Sequence, residues 1–503
     1  MRIISLTDDR EDAEDNARHA QLLTAAGVSQ DTSVEQTISS LLQKGHACLQ
    51  KAVKLATDEE KARQDSSLDK SGIVDAFMAM VSFCDKILRH QEDDDKGTEL
   101  TSIPGLPAAV VSNLLQALRH DSPEARQRFP RLLQLVELYP DTMDLFIQKV
   151  SQVPSWLCIS WLGQMVALLD KPEAVAVHGV LTRIAQDYPQ ALVYPLKISS
   201  ENFEFEDSVV GRRNQEAVTK LKKTLSVIYT LVDKLIGGLE QLSHPDQLFK
   251  DWGDDADLKR LLKVDPKKRT KEDKVNIKRL YEEMYNSLLD FRSPSQDSSM
   301  SSLFGSSSSE LESQSVGFGP FRRRFAQQFA KECDKMFGKD GGRILDMKEK
   351  EFLKLKSGMQ GMMGDFYRKA FPREKGNCYA PGLLKDYCPW LSDFNPLDYD
   401  RELEIPGQYT GKVKPLVQYH AKIAGFDQRV KVMSSLRKPK RITIRGDDER
   451  DRPFLVKGGE DLRQDQRIQQ LFDIMNDILT LDPACSQRQL RIRTYGVIPM
   501  TSR

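Results

Sequence analysis

The stretch that most restricts what this chain can fold into is Phe454 to Phe472, FLVKGGEDLRQDQRIQQLF. Phe454-Leu455-Val456-Lys457 reads as a strand that ends on a lysine. Gly458 and Gly459 follow and permit a tight strand-to-helix turn. Asp461 then stands where a helix N-cap belongs, with Gln464 three residues on, a capping-box pattern. Ile468, Leu471, Phe472, Met475, Ile478 and Leu479 share one helical face, and Asp482-Pro483 stops the helix. Asp465 lies one turn into that helix on the face of Asp461, so it is the first carboxylate able to pair with Lys457; Glu460 is the other. Taken singly, Lys457 is a strand-end surface lysine and Asp461 is a cap. The complete string is far harder to dismiss.

The surrounding residues extend the sheet. Arg429–Val432 and Arg441–Arg445 alternate at period two, the polar turn GDDERDRP leads into Phe454–Lys457, and Leu490–Tyr495 reads as a later strand. Between the first two strands stands Met433-Ser434-Ser435-Leu436-Arg437-Lys438-Pro439-Lys440. Backbone amides and the hydroxyls of Ser434 and Ser435 would cover phosphates there. On charge alone a basic surface turn is the first reading, and a nuclear-localisation signal is a third. Neither a G-x-G-x-x-G loop nor a Walker A motif is present.

Upstream, helical spacing runs to about residue 290 and resumes from Phe321 to Phe371, and after Pro381 the strings Pro389-Trp390-Leu391 and Asn395-Pro396-Leu397 suggest a loop-rich crossing. Leu106, Val110, Val111, Leu114, Leu115 and Leu118 form one stripe, and Leu132, Leu133, Leu135, Val136 and Leu138 another. Pro and Asp recur between the stripes, as expected for stacked helical hairpins over residues 1–200, although no fixed period identifies a repeat family. Val218, Leu221, Leu225, Ile228 and Leu231 continue the pattern, as do Phe321–Phe337 and Leu353–Phe371. Residues 293–316 are Ser-rich and too poor in apolar side chains to offset ordering entropy, so they are expected to be a disordered insert. The fold class that follows is mostly α, a helical solenoid and bundle, then a small α+β lobe with an antiparallel sheet and one helix.

Charge and cysteine content narrow the function classes. The 74 basic and 74 acidic residues cancel, so net charge points to neither nucleic acid nor membrane. The apolar stretch from Trp156 to Leu169 is broken by Ser160, Gly163 and Gln164 and is too short to span a bilayer. The N-terminal MRIISLTDDREDAED turns acidic too soon for a signal peptide, so a soluble protein is expected. The seven cysteines include no C-x-x-C pair and read as reduced thiols. Cys378 and Cys388 lack a second Cys/His pair, so no metal site is expected.

With SLRKPKRITIRG before it and RTYGVIPMTSR after it, FLVKGGEDLRQDQRIQQLF resembles the N-lobe of phosphatidylinositol-3-kinase-related protein kinases. ELEIPGQY (402–409), IAGFDQRVKVMSSLRKPKRI (423–442), ACSQRQLRIRTY (484–495), PQALVYPLKISSE (189–201), LFKDW (248–252) and YEEMYNSLLD (281–290) are similar to the member of that family that acts at DNA ends. The resemblance implies the end of a FAT-type solenoid over 1–200, a connecting helical region with an FRB-like bundle over 201–372, and a partial kinase domain, N-lobe only, over 373–503. It implies ATP as cofactor, with Lys457 on the phosphates, Asp465 as its carboxylate partner, Ser434 and Ser435 in the phosphate-covering loop, and Tyr495 at the adenine. It further implies a nuclear enzyme that phosphorylates Ser/Thr before Gln on protein substrates. That enzyme would work with the Ku heterodimer and DNA ends in non-homologous end joining, without a membrane.

The family's D-R-H-x-x-N and D-F-G strings do not occur between Met1 and Arg503. The expectation is therefore a truncated chain that is inactive alone, with no catalytic or metal-ligating residue of its own and with the Mg2+ ligands outside it. Two other readings stay open: a lipid kinase, because the N-lobe string is shared with lipid enzymes, and a helical scaffold with a degenerate nucleotide lobe.

Overall fold

A computed structural model describes residues 34–62, 71–93, 103–289, 318–370, 372, 382–435 and 437–501. The Ser-rich segment 293–316, the acidic N-terminal stretch and Cys378 lie outside the described residues. The chain divides into one unit of residues 1–223 with 409–415 and a second of 224–408 with 416–503.

The first unit is helical, built from α1 (Val34–Ala62), α2 (Ser71–Asp93), α3 (Leu106–Arg119), α4 (Phe129–Leu138), α5 (Met143–Val150), α6 (Ala174–Asp187) and α7 (Pro189–Ser200). The stripe on α3 is buried from Leu106 to Leu118, as its spacing predicts, whereas Leu138 at the end of α4 is exposed. Pro130 is the second residue of α4 and Pro189 the first of α7, positions in the first turn where the missing N–H costs nothing. Arg131 is buried and satisfied, pairing with Asp85 at 2.7 Å and Glu92 at 2.9 Å. Trp156–Leu169 forms a 3-10 turn and a short helix, and among the described residues no helix is long and apolar enough to cross a membrane.

Val209–Glu240 (α8) contributes to both units. In the second, α9 (Pro245–Asp254), α10 (Ala256–Lys263), α11 (Lys271–Leu288), α12 (Pro320–Phe337) and α13 (Glu349–Ala370) pack around an aromatic core. Phe249, Phe325, Phe329, Phe337 and Phe352 are all fully buried there. Arg269 locks the loops of this bundle: its guanidinium donates to the carbonyls of Ile344 (3.0 Å), Leu345 (2.8 Å) and Met347 (2.8 Å).

The sheet has five strands, β1 (Gly382–Leu383), β2 (Ile423–Phe426), β3 (Arg429–Val432), β4 (Lys440–Gly446) and β5 (Asp451–Val456). Central β4 is antiparallel to β5 along one edge, from Lys440 opposite Val456 to Arg445 opposite Asp451. Its other edge takes β3 at its start and β2 at its end, so β2 and β3 follow one another along β4 with a break at Asp427-Gln428. Helix α14 (Leu462–Leu481) follows β5.

Three expectations are corrected. Leu490–Tyr495 is not a strand. Its backbone is satisfied by side chains of α14: Ile492 exchanges hydrogen bonds with the Asn476 amide (2.7 and 2.9 Å), and the Tyr495 N–H donates to Gln469 Oε1. The β5 strand starts at Asp451 rather than Phe454, with Pro453 tolerated because β5 is an edge. Asp461 caps α14 through the N–H of Arg463 at 3.0 Å rather than through a capping box with Gln464, because the Arg463 guanidinium occupies the same carboxylate. The apolar face of α14 is solvent-facing: Ile468, Leu471, Met475 and Ile478 are exposed, and Asn476 is the buried residue of the helix.

Candidate functional site

The second unit contains a cleft of about 1000 Å³, within the range of small-molecule and cofactor sites. Ile442, Ile444, Leu455, Ile498 and Met500 give it apolar wall, and Lys457 projects from the end of β5 at its margin. The local chain explains that placement. Lys457 follows the last β5 residue, Gly459 turns the backbone at φ 71°, and Asp461 starts α14 so that its first turn faces back toward the lysine.

Lys457 Nζ donates to Asp465 Oδ2 and pairs with Glu460 Oε2, each at 3.4 Å. Partial burial would lower its pKa, but the charges of Glu460 and Asp465 outweigh this and hold it above the ordinary lysine value. The ammonium is therefore fixed, charged and flanked by two acids about one-third exposed, an arrangement that presents a compact cation to an anion entering the cleft.

The other sequence-derived candidates fall differently. Tyr495 lies on the cleft wall with an exposed ring. Ser434 and Ser435 are exposed and do not line the cleft, because the loop closes on itself through Met433 N–H to Pro439 carbonyl (2.9 Å) and Lys438 N–H to Ser435 carbonyl (3.0 Å). The basic residues of that loop reach the wall instead. Arg437 pairs with Asp251 of α9 and approaches Glu460 at 3.8 Å. Lys438 pairs with Asp246 of α9 at 3.4 Å and lies 5.3 Å over the Tyr367 ring.

Sequence reading missed two buried groups in this wall. Lys440 is buried at the start of β4, and desolvation holds its pKa well below the ordinary lysine value despite the nearby Asp246 charge. His244 is likewise buried, which drives its pKa down to about 3 although Asp246 opposes the shift. The acidic partners of Arg437 and Lys438, Asp251 and Asp246, lie 186 and 192 positions away in sequence, and the charges of PDQLFKDWGD are the one signal the sequence offers for them. Among the described residues no group of His, Cys, Asp and Glu could hold a metal ion.

Family models match at two places. Residues 451–503 match "Phosphatidylinositol 3- and 4-kinase", and residues 16–134 match the FAT domain. The DNA-dependent protein kinase catalytic subunits of Canis lupus familiaris and Gallus gallus are 44% and 42% identical to this chain over 97% and 96% of it. The chain spans 11% of the length of each of those two relatives. The serine/threonine-protein kinase tor1 of Schizosaccharomyces pombe is 26% identical over 72% of the chain and 14% of its own length. A solved structure described as the FAT and kinase domain of CtTel1 covers 97% of this chain and 29% of its own, at 16% identity and a TM-score of 0.45.

Proposed function

Because the chain belongs to the phosphatidylinositol-3-kinase-related protein kinases, we propose that its cleft binds ATP and that the full-length protein phosphorylates Ser and Thr. One observation carries this reading: Lys457 is held at the cleft margin by Asp465 and Glu460. A lysine so held places its charge on the nucleotide phosphates, and the carboxylates keep it from folding away when the site is empty of anion. The apolar wall formed by Ile442, Ile444 and Met500 suits the adenine face, with the Tyr495 ring beside it. Mg2+ entering with ATP would supply charge neutralisation on the phosphates. Its ligands, and the acid that accepts the substrate hydroxyl proton, are assigned to parts of the protein other than these residues.

The relatives named for DNA dependence support the finer reading: a nuclear enzyme of DNA double-strand break repair by end joining. It would be recruited through the Ku heterodimer at DNA ends and act on Ser/Thr followed by Gln. Protein rather than lipid is the substrate class, since the relatives named above are protein kinases. In the full-length protein, Lys457→Ala is expected to abolish phosphotransfer to a Ser-Gln peptide while leaving the melting temperature unchanged. Retained activity in that variant refutes the assignment.

A further inference from the structure

The cleft margin holds a row of alternating charges, only part of which the proposed phosphate lysine requires. Lys457 sits between Asp465 and Glu460. Glu460 also faces Arg437 from its other oxygen, Oε1, at 3.8 Å. Arg437 in turn is paired with Asp251 on α9, so the row runs Asp251, Arg437, Glu460, Lys457, Asp465. It begins on the helical bundle and ends on α14.

The glycine turn is shaped around it. A Cβ on Gly459 would lie 3.1 Å from Asp251 Oδ2 and 3.3 Å from Arg437 Nη1, and a Cβ on Gly458 would lie 2.9 Å from Ser243 Cβ. A side chain at Gly459 would require the ends of Asp251 and Arg437 to give by a few tenths of an ångström, and one at Gly458 would require Ser243 of the bundle to shift.

Resting on the nucleotide-binding reading, we propose that Arg437 is a positioning residue: held by Asp251, it shares Glu460 with Lys457 and so lets the helical bundle set how the phosphate-directed lysine is held. The charged groups facing Lys457 are Glu460 and Asp465, and those facing Arg437 are Asp251 and Glu460. Arg437 and Lys457 therefore compete for one carboxylate, and Asp251 restrains the competitor.

Competition fixes signs that a merely structural contact would not. In Asp251→Asn, Arg437 loses its own acid and draws Glu460 from Lys457, leaving an ammonium with less opposing charge that releases its proton more readily. In Arg437→Gln, Glu460 falls wholly to Lys457 and the reverse occurs. With Arg437 gone, Asp251 has nothing to restrain. The side chains of Arg437 and Asp251 are 29% and 34% exposed, so neither substitution empties a core, and screening limits each effect to about two- to five-fold.

The test is the rate at which Lys457 is modified by a small amine-reactive reagent at one fixed pH. It is measured on the 503-residue chain without nucleotide, by mass spectrometry of the peptide that contains it. Expected are a faster rate in Asp251→Asn, a slower rate in Arg437→Gln, a double variant that behaves as Arg437→Gln, and a wild-type rate in Asp251→Glu. Shifts in the same direction, no shift, or a double variant midway between the singles overturn the proposal. A second arm adds ATP to the full-length wild-type protein: failure of ATP to protect Lys457 sinks the nucleotide-binding reading and leaves the rate order to judge the positioning role by itself.

Discussion

Replacing Lys440 by Met tests whether the wall behind the cleft carries a buried amine at an energetic cost. Lys440 is 2% exposed at the first position of β4, opposite Val456, with its Nζ 6.0 Å from the Tyr387 ring centroid. Desolvation favours the neutral amine there, so the folded-state pKa lies well below that of the unfolded chain. The unfolded state then binds more protons than the folded state everywhere between those two values, and wild-type stability must rise with pH across that window. Each pH unit contributes at most about 1.4 kcal/mol. Methionine fills a similar volume without a charge to desolvate, so Lys440→Met is expected to stabilise the second unit at pH 7 by about 1–4 kcal/mol. Its advantage over wild type should shrink by up to about 3 kcal/mol between pH 7 and pH 9, because only the wild type improves. Protection of the Ile442 and Ile444 amides against hydrogen exchange, compared between the two proteins at the same pH so that intrinsic rates cancel, reads this gap. A destabilised variant at pH 7, or a gap that stays constant or widens with pH, refutes the reasoning.

Three other perturbations have defined outcomes. Phe329→Ala removes a fully buried ring packed 4.7 Å from Phe325 and 5.8 Å from Phe366, and urea denaturation should register a loss of about 3–5 kcal/mol. His244 has a folded pKa of about 3 against an ordinary 6.5, so its protonation favours unfolding and wild-type stability falls as pH drops from 6.5 toward 3; His244→Gln should flatten that part of an acid-denaturation curve. Asp465→Asn removes one of two partly exposed acids 3.4 Å from Lys457, and ATP affinity of the full-length protein, measured by calorimetry, should weaken about two- to five-fold.

Local physics made part of this structure readable beforehand. The stripe on α3 had to be buried because its leucines and valines recur at helical spacing, and Lys457, Gly459 and Asp461 form a strand end, a turn and a cap by their own chemistry. What escaped depends on distant partners. Leu490–Tyr495 alternates like a strand, but the Asn476 side chain takes the hydrogen bonds that a sheet neighbour would supply. The family resemblance puts Ser434 and Ser435 in a phosphate-covering loop, whereas charge alone reads the segment as a basic surface turn. The fold of the loop onto Pro439 instead leaves them in solvent and sends Arg437 and Lys438 to Asp251 and Asp246. The ion pairs of Arg437 and Lys438 join residues that sequence alone gives no reason to bring together, since the β3–β4 loop and α9 are separated by most of the bundle.

The most direct measurement is covalent capture by an ATP acyl phosphate, which transfers its acyl group to whichever amine lies against the nucleotide phosphates. In the full-length protein, labelling is expected at Lys457 and should be suppressed by excess ATP. Labelling that falls on Lys438 or other lysines while sparing Lys457, or that ATP does not suppress, contradicts the account.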